Sequence, residues 1–284
     1  MYVKAYAKIN IYLDVLSKRE DGYHDLNMIM LPLELHDSID FEYVPFLQDC
    51  YITCDHVELK ETKYNSINLT IKEMRNKYNF KQNYSVLVHK EIPICAGMGG
   101  GSSNAAATIK GLSSLLKIKM SPEEQLEIAT KIGADVPYCL INKPAHVEGI
   151  GEKVTVIKMK KQYHVIVIKP TLGLSTQKVF AESDKEEYEH GNINNVITAL
   201  ENGDDDLLSV SMFNALEKTS IRLVPEIQEI KDMLKNDGFK MVLMTGSGSC
   251  VFALTDNFKK AFSSYHKYNK KGYEVYLTKT LKTK

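Results

Sequence analysis

The sequence predicts an α+β protein of two domains, and three observations carry that expectation. "YVKAYAKINIYLDVL", residues 2–16, alternates apolar and polar residues, the period of a long strand with one buried face. Helix-like and strand-like segments then follow in mixed order, without the regular β–α–β alternation of a doubly wound parallel sheet. Organisation thins over residues 140–160, which puts the division near residue 155, giving domains 1–155 and 156–284. A chain of 284 residues, 44% of them apolar, has enough material for cores of that size.

The elements read in order as follows. In the first strand Val3, Ala5, Ala7, Ile9, Ile11, Leu13 and Val15 share one face, and Lys4, Tyr6, Lys8, Asn10, Tyr12 and Asp14 share the other. "REDGYHDL" supplies a reversal at Asp21-Gly22. "SIDFEYV" and "YSVLVHKEI" read as strands on either side of a helical "NSINLTIKEMRNKY". The glycine-rich "AGMGGGSSNAAA", residues 96–107, runs into good helix formers, with Leu112, Leu115 and Leu116 spaced for a buried stripe. "SPEEQLEIATKIGAD" carries a complete set of helix signals: Ser121 as N-cap, Pro122 at the first position, Glu124 closing a capping box, and Gly133 as the stop. Its expected apolar stripe is Leu126, Ala129 and Ile132. The second half opens with the strands "KVTVIK" and "YHVIVIKP", followed by a helix from near Pro225 to Gly238. "KMVLMT" and "CVFALT" flank a "GSGS" turn, and a last helix and "YEVYLT" complete the pattern.

Composition removes several functions. Lys plus Arg and Asp plus Glu number 36 each, so the formal charge is zero, which argues against a nucleic-acid partner. The locally basic "KYNKKGYEVYLTKTLKTK" is read as a solvated surface. No apolar run approaches the ~18 residues of a membrane span, and the alternating start is unlike a signal peptide. Cys50, Cys54, Cys95, Cys139 and Cys250 are odd in number and scattered, which suits buried free thiols in a cytoplasmic protein.

The glycine stretch has two readings. As a Gly/Ser spacer it would be a flexible coil. As a loop feeding a helix N-terminus it would present free N–H groups and a positive dipole end, with no Cβ to hinder a ligand's approach. The strong helix that follows favours the second, with a phosphate-bearing guest. A P-loop would need a lysine after the glycines, and none is there. A dinucleotide fingerprint would sit in the first strand–helix unit, whereas this loop begins near residue 93.

Three separated stretches, "AYAKINIYLDVLSKREDGYHDL", "PICAGMGGGSSNAAA" and "TGSGSCVFAL", together with "IGADVPYCL", resemble in order the motifs of the GHMP kinases. Within that superfamily "AKIN", "DGYH", "GGGSSNAA" and "GADVP" look most like the members that phosphorylate a cytidine-diphosphate-linked methylerythritol. "EGIGE" and "NALE" fall where those members have similar strings, while "NKPAHVEGIGE", Cys95-Ala96 and "NALE" itself depart from the commonest forms. The resemblance implies a two-domain GHMP kinase fold, with a ribosomal-protein-S5-like N-terminal domain and a ferredoxin-like C-terminal domain. It implies ATP and Mg²⁺, a small cytidyl-alcohol substrate, and transfer of the γ-phosphoryl to a tertiary hydroxyl in isoprenoid precursor synthesis. No nucleic acid or membrane partner is implied, and a homodimer is left open.

By the same resemblance Pro93, Ile94, Cys95, Ala96, Gly97, Met98, Gly99, Gly100, Gly101, Ser102 and Ser103 hold the phosphates of ATP. Asp135 matches the catalytic base and Lys8 the catalytic lysine; Asn10, Tyr23 and His24 match substrate-holding positions, and Phe180 a second aromatic on the base. Ser103 is the candidate metal ligand. These residue types suit phosphoryl transfer, which rests on positioning and charge. A lysine cation keeps a neighbouring aspartate ionised and stabilises developing negative charge. Two other functions stay open from sequence: a kinase of the same superfamily acting on another small alcohol, and a catalytically idle relative that binds a nucleotide or metabolite.

Overall fold

A computed structural model describes residues 1–47, 49–56 and 66–282. The chain forms two compact units that are discontinuous in sequence. One comprises residues 1–7, 35–92 and 99–142, the other residues 8–34, 93–98 and 143–284. Two long strands, β1 (Tyr2–Lys18) and β2 (His24–Tyr43), supply residues to both.

In the first unit β2 pairs antiparallel with β4 (Tyr84–His89), from Ser38 opposite His89 to Tyr43 opposite Tyr84, and β3 (Tyr51–Cys54) pairs parallel with β4. Its helices are α1 (Ser66–Tyr78), α2 (Gly100–Leu115), α3 (Pro122–Ile132) and α4 (Val136–Ile141). Asn65, where the sequence starts the first helix, lies outside the described residues. The helices pack through Ile67, Ile71 and Met74 of α1 and the alanine-rich face of α2. Gly111 of α2 lets the Phe41 ring come close, because a Cβ there would sit 2.9 Å from it. The capping box of α3 is present, with Ser121 Oγ accepting from Glu124 N–H and Glu124 accepting from Ser121 N–H. Leu126 does not join the stripe of α3, being 42% exposed; the expected Ala129 is buried, Ile132 is half-buried, and Ile128 is buried in place of Leu126. At 3.6 residues per turn Leu126 stands about 200° from Ile128, so one packed face cannot cover both.

In the second unit β1 pairs parallel with β8 (Phe213–Asn214), Tyr12 opposite Phe213. β2 pairs with β5 (Ala145–Gly149), which pairs with β6 (Lys153–Val156). A four-stranded antiparallel sheet runs β11 (Glu274–Lys279), β7 (His164–Lys169), β10 (Val251–Thr255), β9 (Met241–Met244). Both α9 (Glu226–Asn236) and α10 (Phe258–Lys270) pack on that sheet. Four shorter helices, α5 (Thr176–Ser183), α6 (Ile193–Asn202), α7 (Asp205–Ser211) and α8 (Glu217–Leu223), fill the segment between β7 and α9.

β1 departs from the half-buried strand of the sequence. From Ala7 to Val15 every residue is buried, on both faces. Its polar side therefore does not meet solvent; its side chains bond one another and groups of the second unit.

Candidate active site

The strand period of two puts Lys8, Asn10, Tyr12 and Asp14 in one row. Their exposures are 4%, 1%, 0% and 3%. Burying such groups without partners is costly, and each has one. Lys8 Nζ donates to Asn10 Oδ1 at 2.7 Å, and Asn10 Nδ2 reaches Met28 Sδ at 3.5 Å. Tyr12 OH donates to Asp14 Oδ2 at 3.1 Å, and the other oxygen of Asp14 meets His190 Nδ1 at 2.9 Å. Burial first, then the charge of Asp14, pushes the Tyr12 phenol well above its ordinary range.

The second unit also holds the first half of the glycine loop against this row. Lys8 N–H donates to Met98 O at 3.0 Å. Asn10 N–H donates to Thr245 Oγ1 at 3.0 Å, and the Thr245 hydroxyl donates to Gly97 O at 3.4 Å. "TGSGSC" is the turn from β9 to β10, closed by Thr245 N–H to Cys250 O at 3.0 Å, and it also supports the loop. A Cβ on Gly97 would lie 2.2 Å from Thr245 O, and Gly97 has φ +73°, so only glycine fits there. Asn214, the asparagine of "NALE", braces the turn by donating to Met244 O and Gly246 O, each at 2.9 Å.

In the first unit Gly99, with φ +73°, precedes α2 and provides no side-chain cap. The leading N–H groups of α2, at Gly100, Gly101 and Ser102, have no carbonyl of their own helix to bond. With no acidic residue in that turn, this end suits an anion. Asp37, fully buried, holds the approach to the loop: it accepts from Glu91 N–H and Ile92 N–H at 2.9 and 2.8 Å and pairs with Lys90. With its amide turned so that nitrogen faces Asp37, Asn104 donates to Asp37 Oδ2 at 2.9 Å. Asp135 is half-buried at the N-cap of α4, on the turn that follows the end of α3 at Gly133. The neighbouring Tyr138 phenol is fully buried, and burial, followed by the charges of Cys139 and Asp135, pushes it well above its usual range.

Ser103 already has partners for its hydroxyl in this arrangement. It is 2% exposed, and its hydroxyl donates to Tyr6 O at 2.5 Å beside Cys139 Sγ at 3.3 Å. Among the described residues no cluster of three or more His, Cys, Asp or Glu forms a cation site. Mg²⁺ needs no such cage, because it commonly arrives on substrate phosphates and keeps several waters.

The aromatic residues gather in the second unit. Gly22, at φ +85°, makes the reversal that presents Tyr23 and His24. Tyr23 is 57% exposed and His24 7%. The His24 ring stacks on Phe180 with centroids 4.5 Å apart and planes 22° apart. His24 and Phe180 are thus in direct contact, which gives His24 an edge to offer and leaves the Tyr23 ring as the open face.

Sequence reading missed four residues that hold this arrangement: Thr245, Asn214, Asp37 and Asp184. Thr245 and Asn214 lie inside the motif strings "TGSGSCVFAL" and "NALE", but the strings do not say what these side chains hold, and the partners of Asp37 lie more than 50 residues away. Asp184 alone has a local signal, four residues after Phe180.

Comparison with known proteins identifies the family. Residues 65–143 match the GHMP kinases N terminal domain and residues 196–274 the GHMP kinases C terminal domain. The 4-diphosphocytidyl-2-C-methyl-D-erythritol kinase of Clostridium novyi is 38% identical over 99% of this chain and 100% of its own. That of Caldicellulosiruptor bescii is 35% identical over 99% and 98%. A crystal structure of 4-(cytidine 5'-diphospho)-2C-methyl-D-erythritol kinase superposes over the full length of both chains with a TM-score of 0.83 at 26% identity. Homoserine kinase from Cytophaga hutchinsonii, 15% identical with a TM-score of 0.72, shares the fold. The chain belongs to the GHMP kinase family. Its fold is the two-domain α+β fold of that family, and among the described residues no helix is long and apolar enough to cross a membrane.

Proposed function

We propose that this chain is a kinase that moves the γ-phosphoryl of ATP onto the 2-hydroxyl of 4-diphosphocytidyl-2-C-methyl-D-erythritol. The reaction belongs to non-mevalonate isoprenoid precursor synthesis in the cytoplasm. The family's two domains are assigned to residues 1–155 and 156–284. The observation that carries the reading is the buried Lys8–Asn10 pair, tied through Lys8 N–H to Met98 of the glycine loop. It occurs in a chain similar over its whole length to kinases of that name.

Residues 93–103 take the phosphates of ATP, with the leading N–H groups of α2 as donors. Mg²⁺ comes with the triphosphate and offsets part of its charge. Asp135 is the base. An alcohol proton with a pKa near ~15–16 cannot pass early to a carboxylate near ~3.9, so Asp135 orients the hydroxyl and takes the proton late, as the bond to phosphorus forms. Lys8, fixed by Asn10, stabilises the charge that develops. Tyr23, His24 and Phe180 receive the cytosine.

The test is an ADP-release assay with the cytidyl substrate. Wild type turns over, and Asp135→Asn lowers kcat by about 10²–10⁴ with ATP affinity kept. Near-normal turnover by that variant removes Asp135 from the role. Turnover of another alcohol with none of the cytidyl substrate removes the substrate assignment.

A further inference from the structure

Asp184 closes the C-terminal end of α5, its N–H donating to Phe180 O at 2.9 Å. Four residues is one helical turn, so its carboxylate lies on the same side of the helix as the Phe180 ring. There it collects donors from three places. His24 Nε2 lies 2.7 Å from Oδ1, Tyr188 OH 2.8 Å from the same oxygen, and Lys18 Nζ 2.7 Å from Oδ2. Burial pushes this carboxyl up, but the hydrogen bonds from Lys18, His24 and Tyr188 outweigh it and bring it down to about 2. An ionised carboxylate only accepts, so the proton of His24 stands on Nε2. In the neutral ring Nδ1 is then an acceptor. Cytosine presents an amine donor where uracil presents a carbonyl acceptor, so such a ring nitrogen matches one base and repels the other. The His24 side chain is 6% exposed, and that burial makes an unmatched polar contact expensive.

We propose that Asp184 is a positioning residue that holds His24 in its Nε2–H form and so makes the nucleoside end of the site prefer cytosine over uracil. The inference rests on the proposed function, in which His24 meets the base; Asp184 acts on that base through His24.

The experiment uses the full chain as wild type, Asp184→Ala, Asp184→Asn and His24→Ala. CDP and UDP are titrated calorimetrically, steady-state constants are measured for the cytidyl substrate and ATP, and His24 is observed by ¹⁵N NMR at about pH 8, above the ordinary imidazole range. Wild type should bind CDP ~10–100-fold tighter than UDP. Asp184→Ala should shrink that ratio to about threefold or less and raise KM for the cytidyl substrate, with kcat and KM for ATP held within about twofold. Asp184→Asn, whose Oδ1 still accepts from Nε2–H, should keep the ratio. The ¹⁵N shifts should show a protonated Nε2 in wild type and Asp184→Asn, and mixed tautomers in Asp184→Ala. An unchanged CDP:UDP ratio in Asp184→Ala, with His24→Ala losing CDP, overturns the role of Asp184 and leaves the proposed function standing. Where Asp184→Ala does not fold, a wild-type spectrum with the proton on Nδ1 overturns it equally. A wild type that neither phosphorylates the cytidyl substrate nor prefers CDP overturns the proposed function first, and this inference with it.

Discussion

The glycines of this chain divide into two groups that composition does not separate. Gly97 in the loop and Gly246 in the "TGSGSC" turn are pressed together. A Cβ on Gly97 would fall 2.2 Å from Thr245 O, and one on Gly246 would fall 2.9 Å from Gly97 O. Both have positive φ, +73° and +58°. Gly100 and Gly101, at the start of α2, are otherwise. Gly101 has nothing nearer than Ser66 Oγ at 3.8 Å, and the nearest atom to Gly100 is the tip of Lys90 at 3.1 Å. The first pair is glycine because protein backbone fills the place of a side chain. Of the second pair, Gly101 leaves that place open, while at Gly100 the Ile92 side chain at 3.3 Å already crowds it. A run of glycines read as a phosphate loop is therefore part packing joint and part exposed backbone.

The sharpest way to break this contrast is Gly97→Ala. The added methyl meets a backbone carbonyl that cannot move cheaply, at a φ that L residues avoid, so the variant should lose about 3 kcal/mol or more. Thermal unfolding checks it, and an unchanged midpoint would mean that Gly97 is not a packing glycine. Asn214→Ala comes next. Asn214 is 5% exposed, donates to Met244 O and Gly246 O, and accepts from Leu216 N–H at 3.0 Å. Removing it leaves buried groups unpaired at a cost of about 2 kcal/mol, read by urea unfolding. Asn214→Asp should cost at least as much, because a carboxylate would face two carbonyl oxygens. A milder Asn214→Asp would show that the "TGSGSC" turn is held some other way.

Local sequence carried what local physics decides. The capping box at Ser121, the stop at Gly133 and the glycine loop feeding α2 all rest on residues a few positions apart, and all appear where the pattern puts them. The period of β1 also gave the right row, Lys8 with Asn10, but not its burial. The cover over that row includes Thr245, 235 residues from Asn10, and no strand pattern reports what will pack on its polar side. Leu126 departs for a similar reason: Ala129 of its stripe is buried, but the packed neighbours of α3 choose Ile128 rather than Leu126 to join it. The site was legible where a motif names a residue and hidden where a residue acts through another, as Asp37 does for the loop approach and Asp184 for His24. Four short helices between β7 and α9 were also missed, since helices of 7 to 10 residues show little more than two turns of period.

The finest test of the contrast is Gly101→Ala, because packing and ligand binding predict opposite things for it. Gly101 is exposed, lies in the first turn of α2, and has ordinary open space where the methyl would go. Alanine is the better helix former by up to about 1 kcal/mol, so stability should hold or rise slightly. Under the proposed function, however, the methyl stands on the surface where the N–H groups of α2 meet phosphate, and close approach there is what glycine allows. KM for ATP should then rise roughly tenfold with the unfolding midpoint unchanged or higher, both measured on one preparation. A lower midpoint would put Gly101 with Gly97 among the packing glycines and erase the contrast. An unchanged KM with an unchanged midpoint would keep the contrast and remove Gly101 from the phosphate loop, leaving the remaining residues of 93–103 to bind ATP without it.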